Sequence, residues 1–83
     1  GLMVPAIRLA DEHLTYNRFD VAINRYEEII QTYPDRLEGF EALLKKGYCF
    51  AKLGNRKEAL EIFDSLKGTI LEPYALAERA MME

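Results

Sequence analysis

Residues 17–33 read NRFDVAINRYEEIIQTY. Phe19, Ala22, Ile23, Tyr26, Ile29, Ile30 and Tyr33 recur at the three- and four-residue spacing that places side chains on one face of an α-helix. This stripe predicts a helix from about Arg18 to Tyr33. Pro34 stops it, because proline has no N–H for the hydrogen-bond ladder.

The same period extends in both directions. Leu37, Phe40, Leu43, Leu44, Gly47, Tyr48, Phe50 and Ala51 predict a second helix closed at Leu53-Gly54. Ala59, Ile62, Phe63 and Leu66 predict a third, closed by Gly68. Pro73 suits the first turn of a last helix running to the C-terminus. Toward the N-terminus, Ala6, Leu9, Ala10 and His13 share a stripe. Asp35 with Glu38 and Asn55 with Glu58 have capping-box spacing, and Asn17 reads as a weaker cap. No alternating strand pattern appears. The expectation is an all-α chain of five helices, joined by short turns that force neighbours antiparallel.

The helices repeat. The segment from Asn17 to Ile23 aligns with Gly54 to Leu60 at an offset of 37, which also takes Tyr26 to Phe63 and Ala10 to Gly47. An offset of 34 aligns Leu37-Glu38-Gly39-Phe40 with Leu71-Glu72-Pro73-Tyr74, and Lys45 with Arg79. Small residues at Ala10/Gly47 and Ala22/Ala59 allow close helix approach, while Tyr26/Phe63 fill the gap between helices. Asn17 and Gly54 fall where the turn needs positive φ, which these two residue types tolerate best.

These positions resemble the tetratricopeptide repeat. The likeness rests on Ala6, Leu9, Ala10, Ala22, Tyr26, Ile29 and Pro34 in one unit. In the next it rests on Leu43, Gly47, Phe50, Gly54, Ala59, Phe63 and Leu66. The 37-residue spacing is similar to a longer variant found in bacterial envelope proteins of the outer-membrane assembly and Tol-Pal-associated groups. His13 and Lys46 depart from the family pattern, and no Trp starts either unit. The resemblance implies antiparallel helix pairs stacked as a right-handed superhelix of about 2.5 repeats. Residues 1–83 would form one domain: repeat one at about 3–36, repeat two at about 37–70, and a half-repeat or capping helix at about 73–83. The chain is expected to be a segment of a longer protein.

Composition narrows the function. The chain has 83 residues, about half of them hydrophobic and nearly a third charged, with a net charge of −3. That profile fits one ordinary globular domain. Lys45, Lys46 and Lys52 share a helix, but interspersed acids and the negative net charge argue against a nucleic-acid footprint. No apolar run reaches the ~18–20 residues of a membrane span, so no direct membrane insertion is expected. Neither Cys49 nor His13 has a second residue of its kind, which excludes an internal disulfide and a multi-cysteine zinc site. Cys49 reads as a small core filler. Asp11-Glu12 and Glu27-Glu28 are adjacent helical residues that point in different directions, so they make poor carboxylate pairs. No phosphate-binding glycine loop is present. The sequence therefore argues against an enzyme and implies no catalytic residue, metal or cofactor. Compartment stays open between cytoplasm and bacterial periplasm.

In the resembled family, the first helices of successive units line a concave groove. Carried onto this chain, the groove row comprises Ile7, Arg8, Asp11, Leu44, Lys45, Tyr48, Glu78 and Arg79. Arg8, Lys45 and Arg79 would form a basic ladder favouring another protein or a peptide with acidic groups. Asp11 and Lys45 stand where the family's peptide-tail clamp has asparagine, which disfavours that ligand. The alternative is homo-oligomerisation through the apolar last helix, with Tyr74, Ala77 and Met81 as self-contacts. Solenoid ends that expose apolar faces invite a neighbour.

Overall fold

The computed structural model describes residues 15–82. They form four helices: α1 (Phe19–Thr32), α2 (Leu37–Lys52), α3 (Arg56–Ser65) and α4 (Glu72–Met81). There is no strand among the described residues. The expected count of five is therefore corrected to four. It depended on the stripe Ala6, Leu9, Ala10 and His13, which lies outside the described residues.

Each helix packs on the next, and α4 also reaches α2. The core has two clusters. Between α1 and α2 lie Ala22, Tyr26, Ile29, Ala42 and Cys49. Ala59, Phe63, Leu66 and Ala75 form the second, with Phe40, Leu43, Leu44, Phe50 and Ala51 of α2 packed against it. α2 thus contributes to both. The paired aromatics Tyr26 and Phe63 are buried in equivalent places, each stabilising the fold by about 1.5–3 kcal/mol. Gly47 permits the close approach: a Cβ there would stand 2.7 Å from the Phe63 ring. Cys49 is fully buried, as a core filler should be.

The turns obey local chemistry. Asn17 at φ 60° and Gly54 at φ 83° both adopt the left-handed conformation. The caps differ from expectation. Asp35 takes φ 59° as a turn residue, leaving Arg36 as the N-cap without a side-chain bond. Asn55 is an N-cap, yet its side chain makes no capping bond. Arg18, rather than Asn17, caps α1. The connection to α4 is held by Thr69, whose hydroxyl donates to the Leu66 carbonyl at 2.7 Å and accepts from the Leu71 N–H at 3.3 Å.

Candidate functional site

Two ion pairs mark the register of the helix stack. Lys46 on α2 donates to the Glu27 carboxylate on α1, and Arg79 on α4 donates to Asp64 on α3 at 2.7 Å. Each links a first helix to the helix before it. Ala42 and Ala75 are likewise buried under α1 and α3 respectively. By these contacts, α2 maps onto α4 with a shift of 33 residues, one fewer than the sequence alignment suggests. Arg79 then corresponds to Lys46, Glu78 to Lys45, and Met81 to Tyr48. Lys46 is a departure from the family's apolar pattern, and its partner explains it. The Lys46 ammonium holds the Glu27 carboxyl below its usual range, partial burial opposes this, and Gln31 adds a further hydrogen bond.

Between these first helices is an open hollow of about 320 Å³. α2 supplies Tyr48, Ala51 and Lys52, and the turn after it supplies Gly54. Arg56 enters from the start of α3, while Glu78, Met81 and Met82 come from the end of α4. These groups meet because antiparallel packing returns the start of α3 to the end at which α2 and α4 both finish. The Lys52 ammonium lies 5.3 Å from the centre of the Tyr48 ring. Arg56 donates to the Met82 carbonyl at 2.7 Å, tying the start of α3 to the end of α4.

The expected site residues fall in different parts of the molecule. Ile7, Arg8 and Asp11 lie outside the described residues. Leu44, Lys45 and Tyr48 are half-buried on α2, and Leu44 packs toward the α3–α4 cluster. Tyr48 and Glu78 line the hollow, joined there by Met81 from the expected self-contact set. Arg79 is half-buried and engaged with Asp64. Tyr74 and Ala77 are exposed. Sequence reasoning missed Arg56 as a site residue, counted Met82 only among the apolar residues of the last helix, and noted Lys52 only as a cation. Among the described residues, no cluster of three or more potential metal ligands occurs, and no helix is long and apolar enough to cross a membrane.

Stacked antiparallel pairs with small-to-aromatic packing define a helical-repeat architecture of the protein-binding kind. Residues 41–68, comprising most of α2 and all of α3, match the tetratricopeptide repeat family. The chain is also similar to two proteins named serine/threonine-protein kinase PknD. It is 33% identical to that of Protochlamydia amoebophila, over 98% of this chain and 9% of the relative. It is 25% identical to that of Chlamydia caviae, over 99% of this chain and 10% of the relative. The chain thus spans about a tenth of the length of these curated relatives. No solved structure matches.

Proposed function

We propose that this chain is a non-catalytic protein–protein interaction module that holds a peptide or helix of its partner in the groove between its first helices. The observation that carries this reading is the hollow where Tyr48 and Met81 stand at equivalent places on α2 and α4. An apolar floor with a charged rim is the surface expected for peptide recognition. In a protein like the named kinases, the module would bring a substrate or regulator to a catalytic domain elsewhere in the polypeptide. The 37-residue spacing of Asn17 and Gly54 supports the longer repeat variant; the relatives are named as kinases, so envelope location forms no part of the proposal.

The test is a peptide array probed with the wild-type chain and with Tyr48→Ala. Selective capture of a peptide class, weakened about tenfold or more by Tyr48→Ala, is the expected outcome. An array with no selectivity would end the groove reading. In the 33-residue register Glu78, not Arg79, stands at the place of Lys45, so the basic ladder does not continue onto α4, and Lys45→Glu on the same array tests that single cation. Arg79 is left intact because its guanidinium holds Asp64.

A second reading, self-assembly through α4, is favoured by one observation. Pro73, Tyr74, Leu76, Ala77, Ala80 and Met81 are the exposed residues of α4, and all are apolar, whereas its charged residues Glu72, Glu78 and Arg79 are half-buried. An exposed apolar arc of this kind invites a second copy. Sedimentation velocity over a concentration series decides it, since a constant monomer rules it out.

A further inference from the structure

We draw no further inference here: the strongest candidate, the apolar patch that Tyr74, Leu76 and Met81 present on the open face of α4, belongs to the self-assembly surface already described, and nothing in the structure shows what covers it.

Discussion

α2 and α4 are alike on one side and opposite on the other. Facing the preceding helix, each buries an alanine, Ala42 or Ala75, and extends a cation to a carboxylate. Facing away, α2 is covered by α3, with Gly47 under the Phe63 ring. α4 there shows Leu76 and the other apolar residues of its exposed arc. The difference teaches that a repeat helix is fixed by the neighbour before it, while its other face depends on the neighbour after it.

The largest effects should separate the covered face from the open one. Phe63→Ala is expected to cost about 3–5 kcal/mol, because the fully packed ring leaves a cavity between α2 and α3. Tyr74→Ala, on the exposed arc, should change stability by no more than about 0.5 kcal/mol. Urea unfolding of dilute protein measures both, and similar losses would break the contrast.

A smaller effect sharpens it. Gly47→Ala should destabilise by about 1–3 kcal/mol, since the new Cβ overlaps the Phe63 ring. At the equivalent place on α4, Ala80→Gly should cost only about 1 kcal/mol, the loss of helix propensity. Denaturant midpoints that reverse this order would show that Ala80 is packed.

The smallest concerns the ion pair. Because Glu27 is held below its usual range, its contribution is present above the normal carboxylate range and is lost as pH falls through its folded pKa. Glu27→Gln should lower stability by less than about 1 kcal/mol at neutral pH and flatten the acid limb of the stability profile. Thermal melts from pH 3 to 7 read this directly.

Much of the fold was legible because its signals are local. Ala22/Ala59, Tyr26/Phe63 and the positive-φ pair Asn17/Gly54 report spacing and steric need within one turn of chain. The caps were less legible, because Asp35 serves equally as N-cap or left-handed turn residue and only the path of the backbone after Pro34 decides. The register of α4 was hidden by the matching Leu-Glu of Leu37-Glu38 and Leu71-Glu72, while the contacts align Ala75 with Ala42 and Arg79 with Lys46. For the site, Tyr48 and Glu78 stood out in sequence as groove residues and Met81 as a self-contact residue. Lys52, Arg56 and Met82 join them only through the return of antiparallel helices to one end, which no linear pattern displays.

The two ion pairs span different lengths of chain, 19 residues from Glu27 to Lys46 and 15 from Asp64 to Arg79. α1 has 14 residues and α3 has 10, so the difference of four is about one helical turn. The second hairpin is thus shorter by about one helical turn, yet each cation still reaches the helix before it. The connection between α3 and α4 (66–71) is longer than that between α1 and α2 (33–36) and takes up part of the difference.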